Sequence, residues 1–344
     1  MTRYNLDRVC IVMMSAVGDA VHVLPVINAI KREHPSSQIT WVLQPGPASL
    51  VRGHPSVDDI VIFDRARGVR AFADMRRELL PRQFDLLIDL QVYLKAGIVT
   101  ALSGAPVRLG FDRARARDVN WLFTNRRIPA SPMKHVQDQY FEFLSEIGIS
   151  PEPIEWNLGP WADERESQQQ WIATVNRPYA VIVVATSKPD KDWIPERWGT
   201  VCDLLEDQYG LRVVLVGGDS PREKETAGGI STAARKPPMN ALGSGLRKLV
   251  SIIDGSSLVL SPDTGPLHMS VALDRPVISL IGYSDPRRTG PYRKFHDLII
   301  DAYHDPGENT PVSMKTRSNR MERIQVADVE KRLAVWSERY FAKV

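Results

Sequence analysis

SLVLSPDTGPLHMSVAL, Ser257–Leu273, joins a short apolar run to a polar turn and then to a helical pattern. Ser257–Leu260 predicts a buried strand, and Leu267–Leu273 predicts the helix that follows it. The turn between them has a chemistry of its own. Asp263, Thr264 and Gly265 offer a hydroxyl and backbone N–H groups at the positive end of a helix, which is how a nucleotide diphosphate is held in outline.

The same alternation continues on both sides of this stretch. In the N-terminal half, strands are predicted at Val9–Met13, Ile39–Leu43, Asp59–Phe63, Asp85–Leu90 and Val107–Gly110, with helices at Ala20–Glu33, Phe72–Leu80, Lys95–Leu102 and His135–Ile147. A Pro-bearing stretch, Ser150–Trp161, interrupts the pattern and predicts a linker. A second series then gives strands at Ala180–Val184, Leu211–Val216, Ser257–Leu260, Val277–Ile281 and Asp297–Ile300, and Val326–Phe341 predicts a closing amphipathic helix. The expected fold is α/β, with two Rossmann-like doubly wound domains, 1–155 and 156–325, and a terminal helical segment 326–344. A ligand is expected in a cleft at the carboxyl ends of the strands.

Composition limits the function classes. At 344 residues, 25% charged and 43% hydrophobic, the chain is long enough for two cores and too apolar to be disordered. No apolar run approaches the roughly 20 residues of a membrane helix, and MTRYNLDRVCIVMM lacks a signal-peptide cleavage pattern, so a cytosolic protein is expected. Cys10 and Cys202, isolated in a strand and a helix, predict reduced buried thiols rather than zinc or a disulfide. Net charge is only +3, yet Ile60–His135 carries fourteen Lys or Arg against seven Asp or Glu. A solvated surface is one reading of that excess. The absence of any nucleic-acid-binding motif argues against DNA or RNA, and the preponderance of Arg favours a carboxylate- or phosphate-bearing partner such as an anionic glycolipid at a membrane surface.

Four loops fall at predicted strand ends. MSAVGDAVHVLP contains Gly18 and Asp19, the latter placed at a helix N-cap, where it either caps or serves as a general base. The loop lacks GxGxxG, which counts against a dehydrogenase. ATSKPDKDWIPERW offers Thr186, Ser187, Lys188 and Lys191 to a diphosphate. It also holds Asp190 and Asp192, a DxD that either binds a metal or assists the helix start. GGDSPREKE offers Glu223 either to a ribose or to its own helix. The fourth is the opening loop, in which His268 is a ligand contact or a core histidine, and the later IGYSDPRRTGPYR forms a rim or a surface turn.

Taken together these loops resemble the ADP-heptose lipopolysaccharide heptosyltransferases, the family 9 glycosyltransferases. MSAVGDAVHVLP is similar to the family's G-D-hydrophobic-hydrophobic-H-x-L-P loop, DLQVYLKAG to its D-x-Q-G-L-x-K element, and TSKPDKDW to its T-T-x-x-D-K-x-W phosphate loop. DTGPLHMSVALDRPVISLIGYSDPRRTGPY is similar to the family signature DTGxxHxxxALxxPxxxxxGxTDPxxxGxY. The matches run in order over nearly the whole chain. Departures are Tyr283-Ser284 for the usual Pro-Thr, Val92-Tyr93 for Gly-Leu, and Ile194, which adds a residue before Pro195.

The resemblance implies a GT-B fold and inverting transfer of heptose from ADP-L-glycero-β-D-manno-heptose. It implies Asp19 as the base and Lys191 as the donor-phosphate lysine. Thr186, Ser187, Asp263, Thr264, Gly265 and His268 would lie at the donor phosphates and sugar, and Glu223 at the nucleoside. The phosphate loop favours the first-acting enzyme, which modifies Kdo on lipid A, over the second heptosyltransferase or a protein O-heptosyltransferase. Arg65, Arg67, Lys95 and Arg115 are the candidate acceptor contacts, in a protein held peripherally at the cytoplasmic face of the inner membrane. No cofactor and no metal are expected, since Lys191 and a helix end can carry the charge of departing ADP. Outside the family, a nucleotide-binding oxidoreductase and a non-catalytic basic adaptor are the alternatives.

Overall fold

The computed structural model describes residues 4–341. Met1–Arg3 of the N-terminal stretch and Ala342–Val344 of the expected terminal segment lie outside the described residues. The chain divides into two units, Met1–Asn157 and Leu158–Val344.

Unit 1 is built on six parallel strands: β1 (Arg8–Val12), β2 (Gln38–Leu43), β3 (Asp59–Ile62), β4 (Leu86–Asp89), β5 (Val107–Gly110) and β6 (Arg126–Arg127), in the order β3-β2-β1-β4-β5-β6. Unit 2 repeats the plan with β7 (Tyr179–Val183), β8 (Arg212–Val216), β9 (Met239–Asn240), β10 (Leu258–Pro262), β11 (Val277–Ile281) and β12 (Ile299–Asp301), in the order β12-β11-β10-β7-β8-β9. The central strands are buried almost end to end, β7 and β11 at every residue. This is why they read as continuous apolar runs: helices cover a parallel sheet on both faces, and no solvent-facing alternation survives.

In both units the chain winds outward from the first strand and then crosses to its other side. The reversal falls between β1 and β4 in unit 1 and between β7 and β10 in unit 2. At such a point neighbouring loops leave the sheet toward opposite faces, and the carboxyl ends of the two strands stand open to a ligand.

Two strands and a helix are among the elements that differ from expectation. β6 and β9 are two residues long and carry no apolar signal, Arg126–Arg127 being exposed. The helix Pro45–Val51 was hidden by the PGP that starts it, although proline is well placed in a first helical turn. The helix Val326–Arg339 buries Val329, Leu333 and Trp336 on one face and packs against the helix Pro195–Tyr209 and β12 within unit 2. Both cysteines are buried thiols, and burial pushes the Cys202 thiol up to about 12. Among the described residues no helix is long and apolar enough to cross a membrane.

The helix Pro195–Tyr209 is pinned against the helix Pro221–Ala233 at Gly199. A Cβ there would stand 2.5 Å from the Ala233 Cβ and 2.8 Å from its carbonyl carbon, so the two backbones meet only because Gly199 has no side chain. Gly199→Ala should therefore force the helices apart and lower stability by about 1–3 kcal/mol, read as a reduced midpoint in urea unfolding. An unchanged midpoint would mean that the contact relaxes without cost.

Candidate active site

In unit 2 the loops at the reversal point are drawn together by one carboxylate. Asp263 follows β10 and is 7% exposed. Its Oδ2 accepts from Lys191 Nζ at 2.8 Å, from Thr289 Oγ1 at 3.2 Å and from the Ser284 hydroxyl, and Lys191 also donates to the Asp263 carbonyl at 3.0 Å. Lys191 comes from the loop after β7, while Ser284 and Thr289 come from the segment after β11. Burial works to raise the Asp263 pKa, but the charges of Lys191 and His268 and the hydrogen bonds from Lys191 and Ser284 outweigh it and hold the carboxyl below its ordinary value. His268 Nε2 stands 3.8 Å from Asp263 Oδ1, an electrostatic contact rather than a hydrogen bond.

The helix Gly265–Ala272 starts at this cluster. Thr264 is its N-cap and makes no side-chain capping bond. Pro266 has no N–H, and the Leu267 N–H is taken by the Thr264 carbonyl at 3.1 Å. Beyond Gly265, therefore, neither Pro266 nor Leu267 offers a backbone N–H to an anion at this turn.

The loop after β7 is braced from within. The Thr186 N–H donates to Asp192 at 2.7 Å, and its hydroxyl donates to the Lys188 carbonyl at 2.7 Å. Arg222, from the helix Pro221–Ala233, pairs with Asp192 and reaches the Thr186 carbonyl. Asp190 accepts from the Ser318 hydroxyl at 2.7 Å. The two DxD carboxylates thus hold different parts of the protein, Asp192 its own loop and Asp190 the segment before the last helix. Ser187 is exposed at the loop tip.

Glu223 takes the helix-start role in the structure. Its carboxylate accepts from the Gly218 N–H at 2.6 Å and from the Ser220 N–H and hydroxyl at 3.2 and 2.5 Å, while Ser220 caps the helix in return. A Cβ at Gly218 would lie 2.7 Å from Glu223 Oε2, so a larger residue there would have to displace that carboxylate.

Unit 1 shows the corresponding arrangement at β1 and β4. The helix after β1 begins at Val17 with Ala16 as N-cap, so Asp19 is the third helical residue and not the cap that the sequence suggested. Its Oδ2 accepts from the Ala16 N–H at 2.8 Å, and its Oδ1 faces the Tyr140 hydroxyl at 3.4 Å. One turn on, His22 lies on the same face. The Gln137 amide nitrogen donates to the His22 carbonyl at 2.8 Å, which leaves the amide oxygen to accept from Nδ1 at 2.9 Å and assigns the ring hydrogen to that nitrogen.

Gln91, after β4, ties the two loops together. Its side-chain oxygen accepts from the Met14 N–H at 3.0 Å, and its nitrogen donates to the Ser15 carbonyl at 2.8 Å. Gln91 is in turn fixed by Asp89, a fully buried carboxyl that accepts from the Gln91 N–H, Thr100 and Asn120 at 3.0–3.1 Å. Sequence reading named none of Gln91, Asp89, Tyr140, Ser284 and Thr289 as site residues, although DLQVYLKAG contains Asp89 and Gln91 and IGYSDPRRTGPYR contains Ser284 and Thr289; for Tyr140 there was no signal.

Among the proposed acceptor contacts, Arg65, Arg67 and Lys95 are exposed on unit 1, with Arg67 paired to Asp74 at 2.5 Å. Arg115 is a correction. It is 6% exposed, with its guanidinium paired to Asp112 and, at 2.6 Å, to Glu142, and bonded to the Pro129 carbonyl. A buried guanidinium shared by two carboxylates holds the fold and presents no face to a glycolipid.

The model for glycosyltransferase family 9 (heptosyltransferase) matches residues 72–315. The chain is 31% identical to the lipopolysaccharide core heptosyltransferase OpsX of Haemophilus influenzae, over 93% of this chain and 94% of that protein. It is 30% identical to lipopolysaccharide heptosyltransferase 1 of Escherichia coli K12, over 83% and 91%. The structure of the E. coli heptosyltransferase WaaC with ADP is similar at a TM-score of 0.73 and 26% identity, covering 97% of this chain and 99% of that one.

Asp89 yields a pH prediction. Burial raises its pKa from 3.8 to about 7 against the opposing hydrogen bonds from Asn120, the Gln91 N–H and Thr100. As pH rises through that window the unfolded chain gives up the proton first, so unfolding is progressively favoured. The unfolding free energy of the wild type relative to Asp89→Asn should fall between about pH 4 and pH 7 and then level off. A difference that does not vary with pH would mean that Asp89 titrates as an ordinary carboxylate.

Proposed function

The chain belongs to glycosyltransferase family 9, the heptosyltransferases, and on that premise we propose that it transfers heptose from ADP-L-glycero-β-D-manno-heptose to Kdo–lipid A with inversion. The observation that carries the donor half is the cluster of Lys191, Asp263, Ser284 and Thr289 at the β7/β10 reversal, beside the start of a helix. The likeness to heptosyltransferase 1 supports the first-acting enzyme over the second.

In the reaction the acceptor hydroxyl gives its proton to the Asp19 carboxylate, and its oxygen bonds to the anomeric carbon. The bond from that carbon to the β-phosphate oxygen breaks, and ADP leaves with the electron pair. The transition state has oxocarbenium character. Lys191, the Thr264 hydroxyl and the Gly265 N–H meet the charge that develops on the diphosphate. His268 lies one turn into the same helix and belongs to the donor sugar. The Glu223 carboxylate, already ordered by Gly218 and Ser220, is the nucleoside contact, and Thr186 and Ser187 shape the phosphate loop.

The acceptor side is supported by charge and exposure on unit 1. Arg65, Arg67 and Lys95 share that unit with exposed apolar residues Val69, Tyr93, Leu94, Val119 and Leu122. Basic and apolar side chains together suit an anionic glycolipid in a bilayer and a peripheral position at the cytoplasmic membrane face. No metal is required by this mechanism, because the cation at the diphosphate is Lys191.

The direct test is to incubate the protein with ADP-heptose and Kdo–lipid A in excess EDTA, following product mass and ADP release. One ADP per heptose transferred is expected, at the rate seen without chelator. Chelator inhibition reversed by magnesium or manganese would overturn the metal-free reading, and ADP release without a glycolipid product would overturn the acceptor.

The two proposed roles separate by mutation. Asp19→Ala should lower turnover by roughly 10²–10⁴ while leaving ADP affinity unchanged. Lys191→Ala should raise the donor KM and lower kcat together. Normal turnover in folded Asp19→Ala would return that residue to stabilising its helix, and normal donor kinetics in Lys191→Ala would remove the lysine from the donor site.

A further inference from the structure

Lys188 and Tyr283 occupy positions at which this chain departs from the family pattern or the pattern leaves the residue open, and the structure joins them. Lys188 Nζ donates to the Tyr283 hydroxyl at 3.2 Å. The same ring has the Lys188 ammonium 5.1 Å and the Lys191 ammonium 5.7 Å from its centroid, both within cation–π range. We propose that Lys188, oriented by Tyr283, is a second cation for the diphosphate of the nucleotide-sugar donor, an inference that rests on the donor reading above.

Both ends of Lys188 are fixed. Its N–H donates to Thr186 Oγ1 at 3.2 Å and its carbonyl accepts from the same hydroxyl at 2.7 Å, so the backbone is held while Tyr283 holds the ammonium. Tyr283 is anchored in turn by the segment that precedes the last helix. The Arg317 N–H donates to its carbonyl at 2.9 Å, and Thr316 hydrogen-bonds its hydroxyl. Hydrogen bonds from Thr316 and Lys188 hold the phenol below its ordinary pKa, as expected for an oxygen that accepts from a cation.

The charge balance points to an anion. Lys191 already has Asp263 as its carboxylate, whereas the Lys188 ammonium hydrogen-bonds a neutral phenol on which the Asp190 carboxylate acts by charge alone. The Lys188 ammonium thus has a neutral acceptor for its hydrogen bond, and a nucleoside diphosphate carries several negative charges that could meet it directly. Lysine suits this position because a compact ammonium on a flexible stem can follow the phosphate as the bond to the sugar breaks.

The test is ADP binding by isothermal titration to the wild type, Lys188→Ala, Tyr283→Phe and the double variant, with adenosine as the control that lacks phosphate. Lys188 is exposed and Tyr283 only partly buried, so the variants should unfold at the wild-type temperature. Lys188→Ala should weaken ADP binding about tenfold, the scale of one charge-assisted contact, and leave adenosine binding unchanged. Tyr283→Phe should weaken ADP binding less. The double variant should be no weaker than Lys188→Ala alone, because the phenol acts through the lysine. In turnover, Lys188→Ala should raise the donor KM and leave the acceptor KM unaltered. Unchanged ADP affinity in Lys188→Ala, with affinity lost in Lys191→Ala, would overturn the role of Lys188 and leave the donor reading standing. Fully additive losses would overturn the positioning role of Tyr283. Failure of the wild type to bind ADP would overturn this inference and the donor reading together.

Discussion

A carboxylate withdrawn from water must find charge or hydrogen-bond donors, and Asp263 finds them on two other loops at once. Desolvation alone would cost several kcal/mol, and the charges of Lys191 and His268 with the hydrogen bonds from Lys191 and Ser284 outweigh it. This one requirement sets the conformation of the segments after β7, β10 and β11. The parallel sheet explains why these three segments are available together. β7, β10 and β11 are adjacent strands running the same way, so their carboxyl ends open on the same edge.

The two units use the same topological position for different chemistry. At β7/β10 an ammonium and a carboxylate are joined, in keeping with a site that handles phosphate. At β1/β4 the join is a neutral amide, Gln91, and the carboxylate left facing the loop is Asp19, in keeping with a site that handles a proton. One strand order thus places an ammonium–carboxylate pair at one reversal and an amide bridge beside a carboxylate at the other, which are the groups the proposed reaction needs.

Much of this was legible in the sequence, and the limits have physical reasons. Strands such as Tyr179–Val183 and Val277–Ile281 stood out because burial on both faces leaves an unbroken apolar run. Arg126–Arg127 and Met239–Asn240 did not, since an edge strand of two residues is held by its ladder and not by its side chains. The polar loop residues could be located, but their partners could not. Nothing in the local sequence says that Ser284 and Thr289 converge on Asp263, or that Gln91 reaches Met14 and Ser15, because each pairing depends on strands being neighbours in space. Arg115 shows the converse error. Within an Arg-rich run it is indistinguishable from its exposed neighbours until Asp112 and Glu142 are seen around it.

The Gln91 bridge bears on how such proteins diverge. The segments after β1 and β4 are far apart in the chain, yet one amide satisfies backbone groups of the first while its own backbone is tied to Asp89 in the second. A change in the second segment takes partners from peptide groups of the first, and a change in the first takes partners from the Gln91 amide. For recombination or loop grafting, then, the two are a single inheritable module. A transplant that carries the Asp19 loop must bring Gln91, Asp89, Thr100 and Asn120 with it.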